Sequence, residues 1–218
     1  MSGFSDYSHS IMTTGIPSAQ PRMSSVRLGE PSVADRELAI GHGDLAVQGL
    51  SRPELTIERP CIDDGVEMWR LARDSAVLDV NSRYSYLLLA RDFADTSVVA
   101  KSGAAVLGFI TGYRRPAEPT TLLVWQVAVD SVARGQGLGG RMLDALVGQV
   151  AGVEHVETTI TPSNSASIAL FTGFARRRAA PIRREELFGA SLLCADGTGD
   201  HEPEIKYRIG PISAAPEP

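Results

Sequence analysis

The chain of 218 residues and 23.3 kDa suits one domain with an appendage, and its 43% hydrophobic residues can form a sizeable core. Its net charge of -5 argues against a nucleic acid or an anionic membrane as the main partner, because both attract clustered Lys and Arg. Cys61 and Cys194 lie far apart without a C-x-x-C spacing, so neither a disulfide framework nor a zinc site is expected, and we predict no bound metal.

Residues 1–52 are rich in Ser, Gly and Pro and contain few large apolar side chains. Such a segment cannot bury enough surface to order itself, so we predict a disordered N-terminal tail, an ordered domain over residues 53–210 and a short C-terminal tail over residues 211–218. The first Lys or Arg is Arg22, so no basic region opens a signal peptide, and no apolar run approaches the length of a membrane span. A cytoplasmic protein is therefore expected.

The ordered domain is predicted to begin with a short strand at Leu55–Pro60, which alternates and stops at a proline. Two helices follow, the first ending near Ala76 and the second with Tyr84 and Phe93 facing largely inward. Candidate N-cap residues precede each helix: Asp63 or Asp64 for the first, and Asn81 or Ser82 for the second.

Three strands joined by short loops come next and are expected to form an antiparallel meander over residues 96–100, 105–113 and 121–129. The last strand, Thr121–Val129, is an almost unbroken apolar run, which is typical of a strand buried on both faces. Gln126 interrupts the run, and strand alternation points it away from Trp125. A buried amide needs a hydrogen-bond partner, and a substrate is one candidate.

A glycine-rich loop, Arg134-Gly135-Gln136-Gly137-Leu138-Gly139, follows that strand and precedes apolar residues at helical spacing. Glycines let a ligand approach the backbone, and the free N–H groups of a helix N-terminus favour phosphate or pyrophosphate. A Walker A loop would carry Lys followed by Ser or Thr, and a dinucleotide fingerprint would follow the first strand of its βαβ unit. The pattern Arg/Gln-x-x-Gly-x-Gly/Ala fits this loop position by position. A tight turn alone rarely needs three glycines.

The rest of the chain is predicted to contain a strand at His155–Ile160, a helix after Asn164, a strand over Ala175–Pro181, an irregular charged stretch over residues 183–202 and a strand at Glu204–Ile209. The complete order is β-α-α-β-β-β-α-β-α-β-β. It predicts an α/β (α+β) fold, with a mixed, mostly antiparallel twisted sheet and flanking helices.

The glycine pattern and the element order, over about Leu55 to Ile209, resemble the GCN5-related N-acetyltransferases. The resemblance implies a fold in which the strand before the glycine loop and the next strand splay apart. It also implies acetyl-coenzyme A as cosubstrate, with its pyrophosphate on the loop and its pantetheine along Val127–Val129 and near Asn164, which equally suits an N-cap. A homodimer is expected from the same resemblance. The cofactor-binding residues predicted in this way are Val127, Ala128, Val129, Arg134, Gly135, Gln136, Gly137, Leu138, Gly139 and Asn164.

Acetyl transfer to an amine needs a neutral amine, a donor for the developing oxyanion and a proton for the departing thiolate. For the oxyanion, the resemblance implies a backbone N–H on the segment Trp125–Val127. For the proton, many relatives place a tyrosine where this chain has Phe171. The acid is therefore left open between Tyr84, Tyr113 and water.

Three strings, residues 79–87, 124–129 and 161–167, resemble one branch of these enzymes, the L-2,4-diaminobutyrate acetyltransferases. That branch implies acetyl transfer to the 4-amino group by direct amine attack in a ternary complex. The product would be N4-acetyl-L-2,4-diaminobutyrate, an intermediate of ectoine biosynthesis in osmotic stress. Alternatives are another small amine, a protein N-terminus, and a non-catalytic acetyl-coenzyme A sensor.

A diamino acid carries two ammonium groups and one carboxylate, so its pocket needs carboxylates, a π face and polar anchors. We expect Asp79 to be a ligand rather than a helix cap, and Trp125 to stack on an ammonium unless it is a core residue. Near the last strand, Glu204 is preferred over its neighbours as the base. The predicted substrate-binding residues are Asp79, Asn81, Ser82, Tyr84, Trp125, Gln126, His201 and Glu204, and the predicted catalytic residues are Glu204, Val127 and Trp125.

Overall fold

The computed structural model of the chain describes residues 54–75, 78–194 and 201–212. The strands are β1 (Leu55–Glu58), β2 (Val98–Ser102), β3 (Ala105–Arg115), β4 (Glu118–Val129), β5 (His155–Ile160), β6 (Ile182–Phe188) and β7 (Glu204–Ile209). The α-helices are α1 (Asp64–Ser75), α2 (Arg83–Asp92), α3 (Leu138–Gln149), α4 (Ser165–Arg177) and α5 (Ala190–Leu193). Short 3-10 turns occupy Ala94–Thr96 and Ser131–Ala133.

The seven strands form one sheet in the order β1-β2-β3-β4-β5-β7-β6. Neighbouring strands run antiparallel except for β4 and β5, which are parallel. The helix between β4 and β5, α3, makes the crossover that a parallel pair requires. The predicted mixed, mostly antiparallel sheet with flanking helices is therefore confirmed.

The parallel strands β4 and β5 separate part of the way along their length. They pair at Thr121–Leu123 with His155–Glu157, and within the described chain their register ends there. Farther on, β4 stays paired with β3, while β5 pairs with β7 as far as Ile160 opposite Ile205. The C-terminal halves of β4 and β5 thus leave an opening in the sheet, as the family resemblance implied.

Two apolar cores lie on opposite faces of the sheet. The larger core includes Leu143 and Leu146 of α3 and Phe171 and Phe174 of α4, all fully buried or nearly so. The smaller core includes side chains of α1 and α2 packed on β2 and β3. Ile212, two residues beyond the predicted end of the domain, is also buried in the larger core.

The C-terminal third departs from the predicted elements in two places. The predicted strand over Ala175–Pro181 is wrong, because Phe174 and Ala175 are buried on the inner face of α4, which continues to Arg177. The stretch expected to be irregular instead contains β6, a strand at the edge of the sheet. Charged side chains dominate β6 and most are exposed, so the strand lacks the apolar alternation that sequence reasoning relies on.

The second helix buries a narrower stripe than predicted. Tyr86, Leu89 and Ala90 form its buried face at the helical spacing i, i+3, i+4. Tyr84 is 68% exposed and Phe93 is 41% exposed, so the prediction that both face inward is wrong.

Two predictions concern residues that the structure does not describe. The predicted disordered tail over residues 1–52 and the C-terminal tail beyond residue 212 lie outside the described ranges. Within those ranges, no helix has the length and apolar character needed to cross a membrane.

Candidate active site

A cleft of about 600 Å³ opens where β4 and β5 separate. Its walls come from Val127–Val129 of β4, from the glycine loop with the first turn of α3, and from α4 between Asn164 and Leu170. Ser75 and Leu78, at the C-terminal side of α1, also line it. This volume lies within the range of small-molecule and cofactor sites.

Two glycines of the loop are required by backbone conformation. Gly135 has φ of 74° and Gly137 has φ of 70°, both in the left-handed region that disfavours other residues. A Cβ built on either glycine would meet no protein atom within 4 Å, so the space beside the loop is open. Gly139 differs, because its Cβ would lie 3.6 Å from Leu170, an ordinary contact distance.

The N-terminus of α3 directs unpaired backbone donors along the cleft. Gly137 is the N-cap of α3, and its carbonyl accepts the hydrogen bond from the Arg141 N–H at 3.1 Å. The N–H groups of Leu138, Gly139 and Gly140 precede that first intrahelical bond, and all three residues line the cleft. Together with the positive end of the helix dipole, these donors make an anion site that fits a pyrophosphate.

The polar side chains of the loop make contacts within the protein. Arg134 lines the cleft, and its Nε donates to the carbonyl of Val129 at 3.1 Å. Gln136 donates from Nε2 to the carbonyl of Val132 at 3.1 Å. These bonds hold the loop against the end of β4 and the short turn that follows it.

Asp130 is an anchor of the loop that sequence reasoning took only as the end of a strand. Its Oδ1 accepts the N–H of Val132 at 3.2 Å, which caps the 3-10 turn between β4 and the loop. Its Oδ2 lies 3.4 Å from Nη2 of Arg70 on α1. An acidic residue between the end of a strand and a glycine loop is a sequence signal that could have suggested this capping role.

Asn164 sits where the cleft meets α4. Its Oδ1 accepts the N–H of Ser167 at 3.1 Å, so Asn164 is the N-cap of α4. The residue also lines the cleft. Asn164 is therefore a helix cap, and its predicted contact with pantetheine stays a prediction.

A β-bulge interrupts β4 at Trp125. Thr111 of β3 pairs with Gln126 and the next residue, Gly112, pairs with Val124, so Trp125 is the extra residue. Val124 belongs to the core under α3 and α4, whereas Ala128 belongs to the core under α1 and α2. The simple alternation used to orient Gln126 from the sequence therefore does not hold across Trp125.

The bulge gives Trp125 and Gln126 opposite environments. Trp125 is 49% exposed, so it is not a core residue, whereas Gln126 is only 5% exposed. Gln126 Oε1 accepts the hydroxyl of Tyr86 at 2.9 Å, and its Nε2 donates to the backbone carbonyl of Asp79 at 3.0 Å. Both hydrogen bonds of Gln126 are therefore made to protein groups, and its predicted contact with the substrate stays a prediction.

We call residues 78–82, between α1 and α2, the acceptor loop. Ser82 is the N-cap of α2, because its Oγ accepts the N–H of Ser85 at 3.3 Å. Asp79 is exposed and does not cap this helix, so its ligand role stays a prediction. Asn81 is half-buried, and Tyr84 on the first turn of α2 is exposed.

The segment before β7 lies at the same end of the sheet as the opening. Ile205 pairs with Ile160 at the end of β5, so Glu204, which is half-buried, sits just beyond it. Glu202 accepts the N–H of Ser163 at 3.2 Å and thereby ties this segment to the start of α4. His201 is exposed, with Nδ1 3.1 Å from the carbonyl of Glu202.

The proton donor stays unassigned. Phe171 is almost fully buried in the larger core and carries no proton to give. Tyr113 pairs with Leu123, at the end of β4 that is still joined to β5, and Tyr84 is exposed on α2. Among the described residues, no cluster of three or more His, Cys, Asp or Glu side chains could hold a metal ion.

Comparison with known families agrees with this architecture. Residues 65–174 match the sequence profile of the acetyltransferase (GNAT) family. These residues run from α1 through the glycine loop to α4 and so include most of the cleft walls. The chain therefore belongs to the acetyltransferase (GNAT) family.

Relatives of known name narrow the comparison within that family. The chain is 54% identical over 168 residues to the L-2,4-diaminobutyric acid acetyltransferase of Streptomyces coelicolor, a match that covers 75% of this chain and 97% of the relative. It is 51% identical over 181 residues to the protein of the same name from Streptomyces avermitilis, covering 81% of this chain and 99% of the relative.

A solved structure shares both the fold and much of the sequence. It is the diaminobutyrate acetyltransferase EctA from Paenibacillus lautus in complex with its substrate L-2,4-diaminobutyric acid and coenzyme A. The sequence identity is 41% and the TM-score is 0.70, with 76% of this chain and 99% of that chain covered.

Proposed function

We propose that the chain transfers the acetyl group of acetyl-coenzyme A to the 4-amino group of L-2,4-diaminobutyrate, giving N4-acetyl-L-2,4-diaminobutyrate. The observation that carries the proposal is the 41% identity and 0.70 TM-score to an enzyme solved with diaminobutyric acid and coenzyme A. The named relatives, matched over nearly their whole length, support the same reaction.

The cofactor proposal places the pyrophosphate against the first turn of α3. Gly135 and Gly137 leave open space beside the backbone, and the unpaired N–H groups of Leu138 and Gly139 can donate to phosphate oxygens. The pantetheine arm lies along Val127–Val129, where β4 has lost its pairing with β5. Arg134, Gln136 and Asn164 complete the proposed cofactor set.

The diamino acid binds between the two segments that flank the opening, the acceptor loop and the segment before β7. The carboxylates of Asp79 and Glu204 are half-buried or exposed and can meet the ammonium groups of a diamino acid, and the exposed face of Trp125 offers a cation–π contact. Asn81, Ser82, Tyr84 and His201 supply further polar groups nearby in the chain. Gln126 contacts the backbone of the acceptor loop at Asp79.

Acetyl-coenzyme A supplies an activated acetyl thioester. In the proposed reaction the neutral 4-amino nitrogen attacks the thioester carbonyl carbon, the C–N bond forms and the C–S bond breaks. Glu204 takes the proton that leaves the nitrogen, and the backbone N–H of Val127 donates to the carbonyl oxygen as it gains negative charge. The departing thiolate takes its proton from an acid that we do not assign.

The wider context belongs to the same proposal. We infer a cytoplasmic enzyme that makes a precursor of ectoine under osmotic stress and works as a homodimer. Leu187 and Phe188 of β6 and Leu192 of α5 expose apolar side chains that association with a second copy would cover, which supports the dimer.

A thiol-release assay with acetyl-coenzyme A tests the function. Diaminobutyrate, other small amines and a peptide with a free N-terminus are compared at equal concentration. We expect rapid release with diaminobutyrate and little with the others. Faster release with another amine or with the peptide would replace the proposed substrate, and acetyl-coenzyme A binding without release for any acceptor would favour a sensor.

A further inference from the structure

The buried side chain of Gln126 joins the two halves of the site. Gln126 lies on β4 immediately before Val127, whose backbone N–H is the proposed oxyanion donor. Its Nε2 reaches across to the carbonyl of Asp79, 47 residues earlier in the chain, at 3.0 Å. The bond goes to the backbone of Asp79, so it fixes the course of the acceptor loop while leaving the Asp79 carboxylate free to meet a ligand.

Tyr86 fixes the other end of the Gln126 amide. Its hydroxyl donates to Gln126 Oε1 at 2.9 Å, which orients the amide so that Nε2 points at the acceptor loop. The ring has no exposed surface and packs edge-on against Phe109, with centroids 6.1 Å apart and planes at 80°. Burial raises the pKa of the Tyr86 hydroxyl, and hydrogen bonds to Gln126 and Asn81 act against that rise.

The acceptor loop also has a second attachment, to α1. Arg83, directly after the loop, stacks over the ring of Trp69 with its guanidinium carbon 4.2 Å from the ring centroid. That contact holds the loop to its own helix pair but does not relate it to β4. The Gln126 amide joins the backbone of the acceptor loop to the strand along the cleft, and Leu78 of the loop also packs against the smaller core, which includes Ala128 of that strand.

We propose that Tyr86 and Gln126 are positioning residues that hold the acceptor loop in register with β4, so that an amine bound at Asp79 is aimed at the thioester. The inference rests on the proposed function. Gln126 acts by positioning the backbone of Asp79, and Tyr86, which is outside the predicted site, acts by orienting the Gln126 amide. Loss of either side chain then weakens use of the amine while leaving the glycine loop and acetyl-coenzyme A binding intact.

Two variants of the full chain test the proposal. Gln126→Met keeps the side-chain length but removes both hydrogen bonds, and Tyr86→Phe removes one oxygen. We expect KM for diaminobutyrate to rise by about tenfold or more in Gln126→Met and by a smaller factor in Tyr86→Phe, in line with the loss of one or two buried hydrogen bonds. KM for acetyl-coenzyme A should stay within about twofold of the wild-type value, because the cofactor contacts lie elsewhere. Tyr207→Phe, in the core of β7, is the control for removal of a buried tyrosine hydroxyl.

Hydrogen exchange provides a readout that does not depend on turnover. The peptide spanning residues 78–82 should exchange faster in Gln126→Met and Tyr86→Phe than in the wild type, with no change over residues 130–140. Unchanged exchange in both peptides, or an equal rise in KM for both substrates, would overturn the positioning role. A wild-type chain that ignores diaminobutyrate would instead refute the proposed function, and the exchange data would still decide the role of the amide. If Gln126→Met does not fold, Tyr86→Phe alone decides between these outcomes.

Discussion

At the scale of single residues, the glycines of the loop differ in what they require. Gly135 and Gly137 have left-handed backbone angles, whereas a Cβ on Gly139 would lie at an ordinary contact distance, 3.6 Å, from Leu170. The spacing of the three glycines predicts a phosphate loop at a helix N-terminus, but it does not distinguish these positions, because it contains neither the backbone angles nor the neighbouring atoms. The sequence also does not identify the hydrogen-bond partners of Gln126, because they belong to residues 40 and 47 positions away in the chain.

Gly137→Val should abolish acetyl-coenzyme A binding. A β-branched residue disfavours the left-handed conformation at the N-cap of α3 and places methyl groups where the ligand must approach the backbone. Calorimetric titration measures the loss. Gly152→Val is the matched control, because Gly152 is also left-handed, with φ of 69°, but lies after α3. A folded Gly137→Val chain with unchanged affinity would remove the pyrophosphate from this loop.

Asp79→Asn should weaken diaminobutyrate by more than about tenfold and acetyl-coenzyme A hardly at all. Breaking a desolvated charge pair costs about 3–5 kcal/mol, against about 0.2–1 kcal/mol for an exposed pair. The melting temperature should not change, because Ser82 caps α2 and Gln126 contacts only the backbone of Asp79.

The exposed Asp63→Asn is the control for Asp79→Asn, and affinities for both ligands are measured for each variant. An equal loss for the two ligands would indicate a distorted site, and a loss of less than about tenfold for diaminobutyrate would place Asp79 outside the desolvated contact.

At the scale of elements, apolar periodicity located every strand of the sheet except β6. Apolar periodicity does not predict β6, because both faces of this edge strand are largely polar. The sequence also does not predict the bulge at Trp125, because a bulge is a property of two paired strands and the sequence of one strand does not specify it. At this bulge Trp125 is exposed, and Gln126 is buried and donates to the acceptor loop.

An ion pair between Asp64, which is buried, and Lys101 joins the start of α1 to the sheet. Asp64 Oδ1 lies 2.8 Å from Lys101 Nζ on β2, and Asp64 Oδ2 accepts the Cys61 N–H at 2.8 Å. Burial alone would raise the pKa of Asp64, but the hydrogen bonds from Lys101 and Cys61 outweigh it and hold this pKa below its usual value. The ionised form of Asp64 therefore stabilises the folded state.

Asp64→Asn should lower the free energy of unfolding at neutral pH by about 1–3 kcal/mol. Because the folded pKa is depressed, the contribution of Asp64 is present above its unfolded pKa and disappears as the pH falls through the folded value. The difference between the variant and the wild type should thus shrink in the acid range. Urea unfolding at several pH values measures it, with Glu58→Gln, at the exposed partner of Lys101, as the control. A difference that is independent of pH would contradict the ion-pair explanation.

At the scale of the whole molecule, the order of elements and the family were accessible from sequence because the strand, loop and helix around residues 121–150 are local in the chain. The opening between β4 and β5 follows from how distant strands pair, so it came from the family resemblance and not from the residues themselves. The acid that protonates the thiolate is still open, because Phe171 occupies the position where the resemblance leads us to expect tyrosine.

Deletion of residues 1–50 should leave thermal stability and turnover nearly unchanged. The prediction rests on composition, because the segment has few large apolar residues to contribute to a core. Melting temperatures and rates of the truncated and full chains are compared side by side. A large loss of either would assign the segment a role in folding or catalysis.

The proposed reaction acetylates one particular nitrogen of one diamino acid. The direct measurement is NMR of the product formed from acetyl-coenzyme A and L-2,4-diaminobutyrate that carries an isotope label at the 4-nitrogen. We expect the labelled nitrogen to become an amide and the 2-amino group to stay free. An amide at the 2-nitrogen, or an unchanged diaminobutyrate in the presence of bound acetyl-coenzyme A, would contradict it.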